Sequence, residues 1–141
     1  MPKVRANLND VSTEFTPASP DDYELKIDKF DLISQGGRDT YKYVLVIDQP
    51  GHEEHGKSIF GNISMHKRDG SENVAGQREL KRYFEAVFGK EEVADPSFDY
   101  DTDYLLQQRI GGSVVIEAYE YEKDGQTKKG QSNRVDRIWK L

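Results

Sequence analysis

A chain of 141 residues with 26 Asp and Glu against 20 Lys and Arg, a formal charge of −6, is the length of one domain around one core. With no cysteine it excludes a disulfide framework and a thiolate zinc site. No stretch nears the roughly 18 consecutive apolar residues of a membrane span, and an acidic balance argues against indiscriminate binding to duplex DNA.

Residues 1–21 are polar, hold Pro2, Pro17 and Pro20, and show no sustained period. They read as an extended or mobile lead-in, with Phe15 tucked against the single domain expected over 22–141. Tyr23, Leu25 and Ile27 then alternate with charged residues as a half-buried strand does. Phe30, Leu32 and Ile33 continue it after a change of phase at Lys29-Phe30, which predicts a bulge. Gln35-Gly36-Gly37-Arg38-Asp39 is a hairpin turn. The next strand, Tyr41 to Asp48, is apolar on nearly both faces, as a central strand is.

Gln49 to Gly56 is a loop, and Ser58 to His66 a third strand in which Gly61 predicts a kink or a close backbone approach. A polar turn at Lys67-Arg68-Asp69-Gly70-Ser71 leads to the one helix, Gln77 to Phe88. There Leu80, Tyr83, Phe84, Val87 and Phe88 form an apolar stripe, and Gly89 stands at the C-terminal cap. The linker from Glu91 to Tyr104 carries six Asp and Glu with no Lys or Arg. A helical turn around Leu105 to Arg109 and a Gly111-Gly112 turn precede a closing hairpin. Its strands run Ser113 to Tyr121 and on to Trp139, joined at Lys123-Asp124-Gly125.

Three strands, a helix and two strands are the connectivity of an OB-fold. The expected fold is therefore mainly β, a five-stranded OB-like Greek-key barrel with its helix between strands 3 and 4. An open α+β sheet is the rival.

Little in the chain demands catalysis. His52-Glu53-Glu54-His55 places its histidines three apart in a loop, not at the i, i+4 spacing of a zinc-binding helix, and reads as solvated. Asp99, Asp101 and Asp103 lack the glycine and closing glutamate of a calcium loop. They read as solvated too, or as an acidic flap over a basic face. No phosphate-cradling loop and no nucleophile elbow is present. No metal, cofactor or catalytic residue is assigned.

The closing hairpin holds the strongest functional signal. From Lys123 to Leu141 six Lys and Arg stand against two Asp, a local balance of +4 in an acidic chain. Strand alternation puts Phe60, Asn62 and His66 on one face and Tyr119 and Tyr121 on the outward face of the hairpin. Arg38, Lys42, Lys57, Lys67, Arg68, Lys123, Arg134 and Arg137 edge these faces, with Trp139 just beyond. Flat aromatic faces beside cations are what single-stranded nucleic acid requires of a protein. The structural alternatives are that Phe60 packs under the helix and that Tyr119 and Tyr121 only pair across strands. Trp139 would then anchor the last strand, and the terminal charges would solvate an edge.

Several of these segments together, Tyr23-Glu-Leu25-Lys-Ile27, Gly37-Arg38, Gly56-Lys57-Ser58-Ile59-Phe60, Gly76-Gln77, Gly111-Gly112 and Asn133-Arg134-Val135, resemble the small phage-encoded OB-fold single-stranded DNA-binding proteins of replication and recombination cassettes. Many of those are classed as domains of unknown function. The resemblance spans roughly residues 22–140 and is one of pattern. It implies a non-enzymatic protein in the cytoplasm of an infected bacterial host that coats single-stranded DNA. It also implies phage or host replication and recombination proteins as partners and leaves room for a homo-oligomer, with no membrane association. Many such proteins end in an acidic tail, whereas this chain ends Arg137-Ile138-Trp139-Lys140-Leu141. The competing expectation is a phage protein–protein interaction or assembly module working through its acidic surface. A metal-dependent nuclease using the acidic loop is a third.

Overall fold

Five antiparallel strands form one sheet in the computed structural model, which describes residues 16–141: β1 (Asp21–Gln35), β2 (Arg38–Ile47), β3 (Ser58–Ser64), β4 (Arg109–Lys123) and β5 (Gln126–Trp139). Their order across the sheet is β3-β2-β1-β4-β5. The main helix, α1 (Val74–Phe88), lies between β3 and β4 in the chain. A short helix α2 (Lys90–Val93) and a 3-10 turn (Thr102–Leu105) follow it. The fold is thus mainly β with the helix where an OB-like connectivity requires it. The sheet curls but does not close. Edges β3 and β5 face each other across a groove lined by Phe60, Asn62 and Ser132 to Val135, with no ladder joining them among the described residues.

One face of the sheet is the core. Tyr23, Leu25 and Ile27 of β1, Leu45 and Ile47 of β2, Ile59 and Ile63 of β3, and Ile110 and Val114 of β4 are buried, at alternate positions, as the pleat demands. The register of β1 against β2 shifts between Ile27 and Lys29, so the bulge falls at Asp28 and brings Phe30 back to the core side. There Phe30 stacks on Tyr43, ring centroids 5.7 Å apart, and meets Tyr83 edge-on at 5.5 Å. Tyr83 and Phe84 insert the helix stripe into the sheet, each burial contributing about 1.5–3 kcal/mol. The helix begins at Val74, three residues before the expected Gln77, because Asn73 already holds extended backbone and its Nδ2 donates to the Ser64 carbonyl of β3.

Two expected turns are something else. Gly111 and Gly112 are buried inside β4, which starts at Arg109 and not at Ser113. Trp139 lies across Gly111 and Leu25 against Gly112, so a side chain at either position would collide with a neighbour. The expected helical turn over Leu105 to Arg109 lies earlier, at Thr102–Leu105, where Asp101 accepts from the Asp103 N–H at 2.9 Å. The hairpin turns are as read: Gly36 and Gly37 have φ of +59° and +75°, and Asp124 and Gly125 of +55° and +75°, the left-handed pair a two-residue hairpin needs.

The placement of Phe15 and of residues 1–15 of the lead-in lies outside the described residues. Its last part is docked. Ala18 is buried, its N–H donating to Asn133 Oδ1 at 2.8 Å and its carbonyl accepting from Asn133 Nδ2 at 3.0 Å. Among the described residues no helix is long and apolar enough to cross a membrane.

Candidate functional site

The solvent-facing side of β2 and β3 follows from the register. Val44 pairs with Phe60, Lys42 with Asn62 and Thr40 with Ser64, and each pair points away from the buried set. Phe60 is 69% exposed, the most exposed large apolar side chain among the described residues. A phenyl ring left in water gives up the favourable transfer that burial supplies, so packing does not account for it. The alternative that placed Phe60 under the helix is overturned, because Ile59 and Ile63, not Phe60, share the parity that faces α1.

Beside Phe60 the outer face dips twice. One hollow, about 480 Å³, is lined by Arg38, Lys42, His66 and Arg68 together with Gln35, Thr40, Ser64 and Ile33. His66 Nδ1 accepts from the Asp39 N–H at 2.9 Å, which leaves Nε2–H as the neutral ring's free donor. The second hollow is the β3–β5 groove, with Phe60, Asn62, Glu79, Glu117, Ser132, Asn133 and Arg134 on its walls. Lys42 lines the first and its cross-strand partner Asn62 the second, so that pair stands between the two.

The closing hairpin supplies a less open surface than its composition implies. Arg134 is ion-paired, its Nε 3.6 Å from Glu117 and its Nη1 3.4 Å from Asp136. Lys129 stands opposite Glu120 in the ladder. Tyr119 and Tyr121 lie 6.0 Å apart, 48% and 43% exposed, and Tyr119 rests flat over Gly130, where a side chain would strike the ring. Tyr119 thus packs across the strands, as the structural alternative expected, while both rings stay nearly half exposed. Lys123 is exposed at the β4–β5 hairpin end and Lys67 in the turn beside Arg68.

Three expected residues are engaged elsewhere. Lys57 is ion-paired with Glu54, a carboxylate that also accepts from the Ser19 N–H and hydroxyl. That partner chiefly holds the Glu54 carboxyl below its ordinary range. Glu54 is buried, so the loop expected to be wholly solvated is partly structural, and its histidines bond their own backbone: His52 to Glu54 N–H, His55 to Gln49 N–H. Arg137 lines a hollow beside α1 with Glu79, Arg82 and Tyr83. Trp139 covers Gly111 and borders Arg82, Lys90 and Lys140, so it anchors the last strand.

The acidic linker is no flap over these cations. Its Phe98 and Tyr100 pack edge-on against Phe84, at 5.8 and 5.1 Å, and Phe98 also against Phe88. Its carboxylates form no ion pair among the described residues. Nor does any group of His and carboxylates among the described residues gather to hold a metal ion.

Gln35 and Thr40 line the first hollow without having been singled out from the sequence, whereas Ser64 and Glu117 were legible only as outward-facing strand residues. The Gly36-Gly37 turn, once its type is known, fixes Gln35 against Arg38 and so could have located that residue. Glu79, at the rim of both the groove and the Arg137 hollow, is held above its ordinary range by burial, an effect Arg82 opposes. No protein-family model matches this chain, and no curated protein matches it either.

Proposed function

We propose that this protein is a non-enzymatic single-stranded DNA-binding protein that acts in phage DNA replication or recombination, in the cytoplasm of the infected host. Its affinity comes from base stacking and backbone charge, with little base preference. One observation carries the reading: exposed Phe60 sits on the outer β2–β3 face between Arg38, Lys42 and Arg68 on one side and the Arg134 groove on the other. That face and the two hairpin loops flanking it are where OB-folds take oligonucleotides. A stacked base is worth about 1–3 kcal/mol and tolerates any sequence, because every base has a flat face. Phage or host replication proteins are its proposed partners.

The test is fluorescence anisotropy of a labelled poly-dT oligonucleotide at low and moderate salt, with duplex competitor. Salt-sensitive binding that resists the duplex is expected. A flat titration at low salt overturns the reading and favours an interaction module, for which the uncovered edges β3 and β5 would be the pairing surfaces.

A further inference from the structure

The hollow formed by Arg38, Lys42, His66 and Arg68 draws its three cations from two parts of the chain. Arg38 and Lys42 come from β2 and Arg68 from the turn before α1, with His66, two residues past β3, beside them. No carboxylate lines it. The acids around it make no ion pair with its cations among the described residues. Asp39 accepts from Ser34 Oγ, Asp69 accepts from both the N–H and the hydroxyl of Ser71, and Glu72 faces His66 across an isolated β-bridge. Asp31 stands opposite Lys42 in the ladder without an ion pair. None of Arg38, Lys42 and Arg68 is ion-paired among the described residues, although the chain as a whole is acidic. By contrast Lys57, Arg109 and Arg134 all are. Convergent cations repel one another, and an anion shared between them relieves that repulsion. Thr40 and Ser64 hydroxyls, the Gln35 amide and the free His66 Nε2–H add neutral donors. Two guanidinium forks with hydroxyls match the oxygens of a phosphodiester.

We infer that this hollow is a phosphodiester subsite that sets the position of the bound strand, so that a base close along the chain meets Phe60. This rests on the single-stranded DNA reading. The spacing supports it: Lys42 lies opposite Asn62, and Phe60 is the diagonal neighbour on the same face, about 7–8 Å away. One or two nucleotides of extended strand cover that span. The phosphate anchors and the ring receives, which separates a charge-dependent contribution from a salt-independent one.

The experiment is the anisotropy titration of labelled poly-dT over a series of sodium chloride concentrations, with melting curves to verify folding. It compares wild type, the double variant Arg38→Ala/Arg68→Ala, the single variant Lys42→Gln, Phe60→Ala, and a charge-matched control, Lys81→Ala/Lys90→Ala on the exposed side of the helices. The plot of log K against log salt is expected to flatten by about 0.7 for each phosphate deprived of its cation, so by up to about 1.4 in the double variant. Lys42→Gln flattens it in the same sense. Phe60→Ala lowers affinity at every salt with its slope unchanged. Wild-type binding with equal slopes for the double variant and the charge-matched control overturns the subsite while leaving single-strand binding intact. Wild type that fails to bind at low salt overturns both.

Discussion

The outer β2–β3 face and the β4–β5 hairpin both carry aromatic and basic side chains, and they differ in what surrounds each one. In the hairpin, β4 contributes Glu117, Glu120 and Glu122 to the same ladder that holds Lys128, Lys129 and Arg134. Arg134 is tied to Glu117 and Asp136, and Tyr119 is laid over Gly130. On the β2–β3 face the cations converge unpaired on one hollow, and the ring beside them is open to solvent. Local charge counted along a chain therefore overstates the hairpin. Cross-strand neighbours decide which charges remain available to a ligand, because each pairing and each desolvation is set by partners far away in sequence.

That contrast breaks if the hairpin proves the stronger contributor. Phe60→Ala is expected to cost about 1–3 kcal/mol of single-strand affinity, about 5- to 150-fold, with the melting temperature unchanged because the ring is exposed. Tyr119→Ala is expected to sit at or below the low end of that range, about 1 kcal/mol, since one ring face is already taken by Gly130. A larger loss at Tyr119 than at Phe60, in the same titration, reverses the ranking of the two regions.

Glu117→Gln sharpens it. Releasing Arg134 from its glutamate is expected to raise affinity severalfold at low salt, an advantage that shrinks as salt screens the exposed pair. An unchanged affinity means Arg134 does not touch the strand. The smallest expected effect concerns Glu79. Burial raises its folded-state pKa, so its ionised form is disfavoured in the fold. Its contribution to stability is complete below its ordinary value of 4.5 and declines as pH rises through the folded value. Glu79→Gln is thus expected to raise the melting temperature modestly at pH 7 and to leave it unchanged near pH 4. A lower melting temperature at pH 7 shows instead that the carboxylate is held by its arginine neighbours.

Periodicity by itself determined the strand–strand–strand–helix–strand–strand order, a bulge in β1 within two residues of its place at Asp28, and the two hairpin turns, because alternation, apolar stripe and turn chemistry are all local. Asn62 and Phe60 were legible as outward residues for the same reason. The engagement of Lys57 by Glu54, the burial of Gly111 and Gly112 under Trp139 and Leu25, and the docking of the acidic linker on Phe84 and Phe88 were not legible. Each depends on partners brought together only when the sheet curls. The same holds for the basic hollow: Arg38 and Arg68 are thirty residues apart, and only the pairing of Thr40 with Ser64 brings β2 beside the end of β3 and the turn that follows it. Tertiary structure alone decided which charges are neutralised, since a charge is answered by whatever lies within a few ångströms of it, wherever that stands in the chain.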